Sequence, residues 1–383
     1  MDATSRDYQI SPSSWNRFEE CPRKYWLSRQ RLPGKASMPA SMGTAIHNSV
    51  EDLCNLELSD REGDEVGWLQ STARDVLEGN WESERKEFMD TPRHPRWKSE
   101  MFPKAFEGLV GALSIMFEKA ALPKSELTEV TIRSWRQVQA IILATEDTLE
   151  SDCGRLQGRL DLLVIDKESG GKEGWIVADL KTGKPPRTEL SEKVTRQLLF
   201  YRDLMKQRNP EHPPIIAEGW YSSNKTVYSA DGPSILEEAI EAWKTMELSE
   251  IPFHATPSQA ACSFCEWKAW CPKWWIARNE GQLGGGGVFR DEVVRLVRLD
   301  RDSGAALFER TTPIGDEGEL NGSDYRFGAI LKGQALEQIK LLEQAELDAH
   351  LFLGSVRVDG KIVHMGDWSE VIPWAPILRS TPD

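Results

Sequence analysis

The stretch Trp175-Ile176-Val177-Ala178-Asp179-Leu180-Lys181-Thr182-Gly183 has the apolar content of a β-strand and ends in a Thr-Gly turn. Because successive side chains point to opposite faces of a strand, Asp179 and Lys181 are predicted to share one face, while the residues that alternate with them face a core. Burying a charged group is costly unless it is paired or bound to a metal. An acid and a lysine at the end of this strand therefore indicate a functional site.

A second strand, Gly158–Asp166, precedes this one and carries Asp161 on the face opposite its apolar residues. The turn-forming loop Glu168–Gly174 is predicted to join the two strands as an antiparallel hairpin, which places Asp161 across from Asp179. Two carboxylates on neighbouring strands form a site for a hard cation such as Mg²⁺ or Mn²⁺. The acid-x-lysine spacing alone is not distinctive, since Glu84 and Lys86 share it and such pairs are usually solvated.

Helices and strands alternate through the rest of the first 280 residues. We predict helices that begin at Ser11, with a break near Pro22, and at Gly43, and further helices across much of 60–125, at Arg196–Met205 and at Ser234–Leu248. We predict strands at Glu129–Trp135, Gln137–Ala144 and Glu218–Ser222. The helix from Gly43 carries His47 and Glu51 on one face. This pair indicates either a metal or DNA site or an ordinary structural histidine. The helical segment broken by Pro92 and Pro95 is interpreted as an inserted subdomain.

Three cysteines lie within ten positions at Cys262, Cys265 and Cys271. Disulfides are rare in the cytosol, and thiolates at this density favour zinc or an iron–sulfur cluster over unligated buried cysteines. Four ligands are needed, and Cys21, at the predicted helix break, is the natural fourth. Cys54 and Cys153 are left over and are expected to be buried.

A run of glycines at 284–287 predicts a flexible linker. Beyond it we predict strands at Val293–Leu299, Ala305–Arg310, Tyr325–Leu331, His350–Val358 and Lys361–Met365, and a helix at Leu336–Gln344. The last two strands form a hairpin around Asp359-Gly360. This order resembles a small OB-like barrel, and such barrels either bind single strands or dock proteins.

The composition is that of an ordinary globular protein, with 39% hydrophobic and 28% charged residues among 383. No apolar run approaches the roughly 20 residues of a membrane helix, and the first residues do not resemble a signal peptide, so a cytoplasmic location is expected. The formal charge of −14 argues mildly against nucleic acid as a partner. However, Arg93, Arg96, Lys98 and Lys104 surround Trp97 and Phe102, which suits stacking on bases as well as a solvated face.

Taken together, the ordered motifs resemble the RecB-type branch of the PD-(D/E)XK nuclease superfamily, in particular four-cysteine AddB-type and CRISPR-associated RecB-like nucleases. The resemblance covers roughly residues 10–275. It rests on Ser11-Pro12-Ser13-Ser14-Trp15 with Cys21-Pro22-Arg23-Lys24, Gly43–His47 with Glu51, Gly158–Asp161, Asp179–Gly183, Gln197–Tyr201, and the three cysteines Cys262, Cys265 and Cys271.

The resemblance implies an α/β fold with a restriction-endonuclease-like core, in which helices flank a mixed sheet. It implies roles for named residues. The catalytic residues would be Asp161, Asp179, Lys181, Gln197 and Tyr201; Mg²⁺ or Mn²⁺ would be held by His47, Asp161 and Asp179; DNA would be contacted by Arg196, Gln197 and Tyr201; and a [4Fe-4S] cluster would be held by Cys21, Cys262, Cys265 and Cys271.

The function implied is metal-dependent hydrolysis of DNA, by a single-strand exonuclease or end-processing enzyme of repair or recombination. Its partners would be single-stranded DNA and a helicase, repair protein or CRISPR protein; a CRISPR-adaptation nuclease is an alternative. Two others are a non-catalytic DNA-binding scaffold stabilised by the cluster and a zinc protein with a non-nuclease role. The expected domains are a nuclease domain at 1–280 with a helical insertion around 55–125, a linker at 281–287, and an OB-like domain at 288–383.

Overall fold

A computed structural model describes residues 8–123, 125–167, 173–284, 287–344, 350–360 and 362–379. The chain divides into two compact units. The first draws its described residues from Met1–Asn16, Ser37–Asp90 and Trp97–Glu247, and the second draws its own from Arg17–Ala36, Thr91–Arg96 and Leu248–Asp383. The domain boundaries expected from the sequence stay predictions, and residues 285 and 286 of the expected linker lie outside the described ranges.

The secondary structure alternates helices and strands before a strand-rich final third. The helices are α1 (Pro12–Glu20), α2 (Pro22–Ser28), α3 (Met38–Cys54), α4 (Trp68–Asp90), α5 (Phe102–Lys119), α6 (Ile132–Gln139), α7 (Glu192–Arg208), α8 (Leu236–Thr245), α9 (Gln259–Ser263), α10 (Pro272–Asn279) and α11 (Gly333–Gln344). The strands are β1 (Ile142–Glu150), β2 (Gln157–Asp166), β3 (Gly174–Lys181), β4 (Ile215–Tyr221), β5 (Thr226–Ala230), β6 (Phe289–Leu299), β7 (Ala305–Pro313), β8 (Leu320–Leu331), β9 (Leu351–Asp359), β10 (Ile362–Met365) and β11 (Glu370–Pro373). None of these helices is long and apolar enough to cross a membrane.

The first unit is built on a five-stranded sheet in the order β1-β2-β3-β4-β5. Strands β3 and β4 are parallel and the other neighbours are antiparallel, so α7 forms the crossover between β3 and β4. The predicted mixed sheet and the predicted β2–β3 hairpin are confirmed, although residues 168–172 of its loop lie outside the described ranges. Both faces of β3 are packed, including the face that carries Asp179. Residues 176–180 are all buried, because β3 is the central strand and α7 packs against it.

The segment before β1 was wrongly predicted as a strand. Residues Ile132–Gln139 form helix α6, whose N-cap Thr131 accepts a hydrogen bond from the Ser134 backbone N–H at 3.1 Å. Ile132, Trp135 and Val138 recur every three residues and are buried, which is helical rather than strand periodicity. Strand β1 therefore begins only at Ile142, near the end of the second predicted strand segment.

The predicted helical segment 60–125 is helical in α4 and α5, and α4 ends at Asp90, just before Pro92. The aromatic residues in its basic cluster pack on other rings. The Trp97 ring lies 4.8 Å from Trp81 and 5.1 Å from Phe88, and Phe102 lies 5.7 Å from Trp81. Trp97 and Phe102 are both partly exposed, and their stacking on bases stays a prediction.

Helix α5 approaches the end of β4 closely because Gly111 has no side chain. A Cβ at Gly111 would lie 1.9 Å from the carbonyl oxygen of Ser222, the residue that follows β4. The Ser222 N–H in turn donates to the carbonyl of Lys181 at 3.0 Å. Gly111 thus sets the distance between α5 and the strand ends next to Lys181.

The second unit contains a six-stranded sheet in the order β10-β8-β7-β6-β9-β11. Because β10 also pairs with β9, five of these strands form a closed ring, β6-β7-β8-β10-β9, in which β8 and β10 are parallel. Its interior is filled by apolar residues that include Phe308, Phe327, Leu331 and Leu353. The strands, the helix and the β9–β10 hairpin predicted for this region are confirmed, whereas the sixth strand, β11, was not predicted.

A second apolar cluster in this unit gathers the tryptophans that the sequence places near the cysteines. Trp26, Trp267, Trp270, Trp274 and Trp275 are all buried in it. These rings form part of the core of this unit and pack beside Cys271.

A buried ion pair joins distant segments of the second unit. The guanidinium of Arg93 contacts the Glu370 carboxylate at 3.0 and 3.1 Å, and Lys35 Nζ lies 2.8 Å from the same carboxylate. Burial alone would raise the pKa of Glu370, but Lys35 and Arg93 outweigh it and hold that pKa below its ordinary value of 4.5. Since the folded-state pKa is the lower one, the stabilisation is present above pH 4.5 and is lost as the pH falls through the folded-state pKa.

We expect Glu370→Gln to lower the free energy of unfolding by roughly 3 kcal/mol at pH 7, because it leaves the buried Arg93 without its counter-charge. The deficit relative to the wild type should shrink as the pH falls from 4.5 through the lower folded-state pKa, where the wild-type carboxylate becomes neutral. Urea unfolding of both proteins at pH 7 and near pH 3.5 measures this difference. A deficit of the same size at both pH values would contradict the assignment.

Candidate metal centre and active site

The end of β3 carries a hydrogen-bonded network that centres on the side-chain amide of Gln197, on α7. Lys181 Nζ donates to Gln197 Oε1 at 2.8 Å, and Gln197 Nε2 donates to Asp179 Oδ1 at 2.7 Å and to the Tyr201 hydroxyl at 3.0 Å. Lys181 Nζ also lies 2.5 Å from Asp179 Oδ2. The structure therefore brings together four residues that the sequence predicted, and it places Gln197 as their connector.

Tyr201 owes its position to a glycine on the neighbouring strand. A Cβ at Gly158, in β2, would lie 2.6 Å from the Tyr201 ring. The bare backbone there lets the ring pack against β2, where it is buried with its hydroxyl turned toward Gln197. Burial is the main reason why the pKa of Tyr201 is raised, and the nearby Asp179 charge adds to it, so this hydroxyl stays protonated.

Asp161 and His47 meet beside this network. Asp161 Oδ2 accepts a hydrogen bond of 2.6 Å from the Leu180 backbone N–H, which fixes the carboxylate against β3. His47 Nδ1 lies 3.5 Å from Asp161 Oδ1. Helix α3, which carries His47, begins at Met38 rather than at Gly43 as predicted. Gly43 instead allows α3 to lie close to the turn after β3, since a Cβ there would lie 3.0 Å from Thr182 Oγ1.

Glu146 is a site residue that was not predicted from the sequence. It lies on β1, and its Oε1 is 4.0 Å from His47 Nδ1 while its Oε2 is 2.7 Å from Arg159 Nε. Its φ of 49° is in the left-handed region, which is strained for a residue with a Cβ and which recurs at functional sites. The pairing of β1 with β2 would have indicated Glu146, because the residues on either side of it pair with the residues on either side of Asp161.

One group in the described part of the chain has the arrangement of a metal site, namely His47, Glu146 and Asp161, whose ligand atoms all lie within 4.8 Å of one another. Two carboxylates and an imidazole form a donor set for a divalent cation, and the imidazole favours Mn²⁺ over Mg²⁺. The residues therefore fit the predicted metal. Asp179, predicted as a ligand, lies outside this group and is held by Lys181 and Gln197 instead.

The electrostatics of the site reflect crowded negative charge. Burial, with the Asp161 charge as a second cause, raises the pKa of Asp179 to about 6, although Lys181 opposes the shift. Burial and the same aspartate also raise the pKa of Glu146. For His47, burial lowers the pKa, but the surrounding carboxylates outweigh it and the net shift is upward. Groups that repel one another in this way are stabilised by added positive charge, as a bound cation would provide.

Glu146→Gln should lower the affinity for Mn²⁺ by about 10- to 100-fold, because it removes one of the two carboxylates from the cation-binding group. Isothermal titration calorimetry measures the change. The matched control is Asp147→Asn, which removes a neighbouring charge on β1 that pairs with Arg208 at 2.6 Å. Equal affinities for Glu146→Gln and the wild type would exclude Glu146 from the metal site.

Arg196 also lies on α7 but points away from the Gln197 network. Its guanidinium lies 4.6 Å from the Trp15 ring centre, donates to Asn16 Oδ1 at 2.7 Å and pairs with Glu192 at 3.1 Å. The side chain is only 12% exposed. The predicted contact of Arg196 with DNA stays a prediction.

The four predicted cluster cysteines line one small cavity in the second unit. Cys21, Cys262, Cys265 and Cys271 share it with Lys24 and Lys268. Cys21 and Cys271 occupy equivalent positions, since each is the N-cap of a helix that begins with proline. No three of these sulfurs, all of which belong to the described residues, lie within 4.8 Å of one another.

The two remaining cysteines differ from each other. Cys54 is buried as expected, and burial raises the pKa of its thiol to about 12. Cys153 is exposed, so the expectation that it is buried was wrong. It lies in the turn between β1 and β2, where the chain reverses direction at the surface.

Comparison with known families identifies the family of this chain. Residues 9–272 match the model of the PD-(D/E)XK nuclease superfamily. This match covers more than half of the chain, and the protein belongs to the PD-(D/E)XK nuclease superfamily. No curated protein matches the chain. Membership implies phosphodiester hydrolysis with DNA as the substrate, and nucleases of this superfamily use divalent metals.

Proposed function

We propose that this protein is a metal-dependent deoxyribonuclease of the RecB-type branch, a single-strand exonuclease or end-processing enzyme in DNA repair or recombination. The observation that carries the proposal is the meeting of two groups at one end of the five-stranded sheet. One is the network of Asp179, Lys181, Gln197 and Tyr201, and the other is the cation-binding group of His47, Glu146 and Asp161.

In this proposal, the residues of the two groups divide the work between metal binding and activation of the water. His47, Asp161 and Asp179 hold Mg²⁺ or Mn²⁺, with Glu146 as an added ligand. A bound divalent cation supplies a water of lowered pKa and neutralises charge on the phosphate. Lys181, whose ammonium is already fixed between Asp179 and Gln197, orients the attacking water and offsets the negative charge that develops in the transition state.

Gln197 and Tyr201 act as positioning residues within the same network. The amide of Gln197 fixes both Lys181 and Asp179, and the Tyr201 hydroxyl fixes the amide. We assign to Gln197, Tyr201 and Arg196 the further role of placing the DNA strand near the scissile phosphate. A free Lys181 side chain would sample several rotamers, and the network removes that freedom before the substrate arrives.

We further propose that Cys21, Cys262, Cys265 and Cys271 hold a [4Fe-4S] cluster. The shared cavity supports a common centre for the four thiols. Thiolates at this density are typical of zinc or an iron–sulfur cluster, and the resemblance to four-cysteine nucleases favours the cluster. Closing the long loop between Cys21 and Cys262 would stabilise the native chain.

Cys262→Ala tests the cluster. Anaerobically purified wild type should be brown and contain iron, and the variant should lose the visible absorbance and unfold at a lower temperature. Cys153→Ala, at an exposed thiol, is the control and should change neither property. Colourless wild type with one bound zinc, or an unchanged variant, would overturn the cluster.

The barrel of the second unit is proposed to be an OB-like domain that guides the DNA strand or docks a helicase, repair protein or CRISPR protein. The closed ring of five strands, with α11 between β8 and β9, supports this interpretation.

Degradation of end-labelled single-stranded DNA by the anaerobically purified protein tests the proposed function. Each strand end is labelled in turn, Mg²⁺ or Mn²⁺ is added, and Asp179→Ala is run beside the wild type. We expect cleavage that depends on metal and is lost in the variant, and the order of label release gives the polarity. Cleavage that persists in Asp179→Ala would overturn the assigned site, and no cleavage by the wild type would favour the non-catalytic scaffold.

A further inference from the structure

Three arginines stand on one face of the barrel of the second unit. Register places Arg295 of β6 opposite Glu309 of β7, and Glu309 opposite Arg326 of β8. Arg295 and Arg326, called the arginine row from here on, thus stand on either side of Glu309 in a line across three strands. Arg298 follows in the next row, opposite Leu307, and is exposed.

The arginine row is held in place by one carboxylate. Arg295 Nη2 donates to Glu309 Oε1 at 3.1 Å, while Arg326 donates through Nε and Nη2 to Glu309 Oε2 at 3.1 and 2.9 Å. The two arginine side chains are 52% and 55% exposed, whereas that of Glu309 is 7% exposed. The guanidinium groups are therefore fixed on their inner side and open to solvent on their outer side.

The charge of this face is opposite to that of the molecule. The chain carries a formal charge of −14, yet Arg295 and Arg326 share a single buried acid, and Arg298 adds a third cation in the next row. A local positive field of this kind attracts polyanions even on an acidic protein. All three cations are arginine, whose planar fork suits phosphate better than the lysine ammonium does.

The surface beside the arginine row is flat and accessible. Leu307 of β7 lies opposite Gly328 of β8, and a Cβ built at Gly328 would meet nothing within 4 Å. Val297, on β6, is 39% exposed. A chain that follows the row can therefore lie close to the backbone of β8 and place apolar sugar and base surface against Leu307 and Val297.

We propose that the arginine row, with Arg298, binds the phosphate backbone of single-stranded nucleic acid. The charge of the face and its fixed guanidinium groups select a polyanion, and the narrow apolar strip beside them suits a single strand with exposed bases. Phosphate contacts position a strand without reading its sequence. The choice of nucleic acid over an acidic peptide rests on the proposed nuclease function.

Binding of a fluorescent 20-nucleotide oligo(dT) tests the proposal in the full-length protein. Lys181→Ala is the background, so that the probe is not degraded, and anisotropy is measured between 50 and 200 mM NaCl without divalent metal. Arg295→Gln/Arg326→Gln should weaken binding at least 10-fold at 50 mM. It should also reduce the slope of log K against log [salt] by about 1.4, since two phosphate contacts on a single strand are lost.

The matched control is Arg301→Gln/Lys340→Gln. It removes two cations from the same barrel, each of which pairs with one glutamate, at 2.7 Å for Arg301 and 3.3 Å for Lys340. This control should bind oligo(dT) like the background. Glutamine can still donate to Glu309, and thermal unfolding checks that both double variants remain folded.

Several results would overturn the proposal. Binding that is unchanged in Arg295→Gln/Arg326→Gln, or lost equally in the control, would overturn it. A 20-base-pair duplex that binds as tightly as oligo(dT), and loses as much affinity on substitution, would do the same. So would displacement of the probe by polyglutamate as readily as by unlabelled oligo(dT). These outcomes do not depend on cleavage. Failure of the wild type to cleave DNA would overturn the nuclease function and leave the binding measurement to decide on the arginine row by itself.

Discussion

Lys181→Ala is expected to reduce cleavage of single-stranded DNA by roughly 10²- to 10³-fold or more, while the fold and DNA binding are retained. The lysine ammonium is the cation nearest to Asp179, at 2.5 Å, among the contacts of the described residues. Its loss removes the positive side chain that the proposed mechanism places beside the phosphate, where negative charge develops in the transition state. The side chain is 24% exposed and is the counter-charge of the buried Asp179, so stability has to be measured beside cleavage.

Single-turnover cleavage at saturating enzyme, beside the thermal unfolding temperature, separates the catalytic effect from a folding effect. The control is Lys244→Ala, which removes a half-exposed lysine of α8 that pairs with Glu241. Its cleavage rate should equal that of the wild type. If Lys181→Ala cleaves DNA in the presence of metal at a rate close to that of the wild type, the site is assigned wrongly.

Gly111→Ala is expected to destabilise the first unit strongly. The added methyl would lie 1.9 Å from the Ser222 carbonyl oxygen, and both partners are backbone-anchored, so a helix or a strand must move. We expect a loss of about 2–3 kcal/mol in the free energy of unfolding. In a unit of this size the loss corresponds to a fall of roughly 5–10 °C in Tm.

The control for this prediction is Gly79→Ala, in the middle of α4, where a Cβ would meet nothing within 4 Å. Alanine is the better helix former there, so a gain of about 0.5–1 kcal/mol is expected. Scanning calorimetry of the two variants should give shifts of opposite sign. Shifts of the same sign would show that the close approach of α5 to Ser222 is not a constraint.

The sequence alone was sufficient to place the site residues that lie on strands and helices with a clear apolar periodicity. Asp161 and Asp179 could be placed on adjacent strands because each strand has a clear alternation and the loop between them has turn chemistry. Gln197 and Tyr201 could be placed on one face of a helix by their spacing. For these residues local pattern and tertiary structure agree.

The rest of the site depends on pairing between segments, which local pattern does not specify. Glu146 reaches the site through its register with β2, and its segment was predicted as a strand only up to Ala144. The helix α6 before it was missed because Thr131, a β-branched residue, was counted toward a strand although it acts as an N-cap. The role of Gln197 as the connector between Lys181 and Asp179 likewise requires the packing of α7 on β3.

The left-handed backbone of Glu146 has a consequence for engineering. A glutamate held at a φ of 49° destabilises the native state by about 1–2 kcal/mol relative to a glycine, which adopts that conformation freely. Any screen that ranks variants by heat resistance alone will therefore enrich Glu146→Gly and, with it, proteins that bind the cation poorly. Thermostability and turnover oppose each other at this one position, and a stabilised enzyme has to be sought among substitutions elsewhere in the chain.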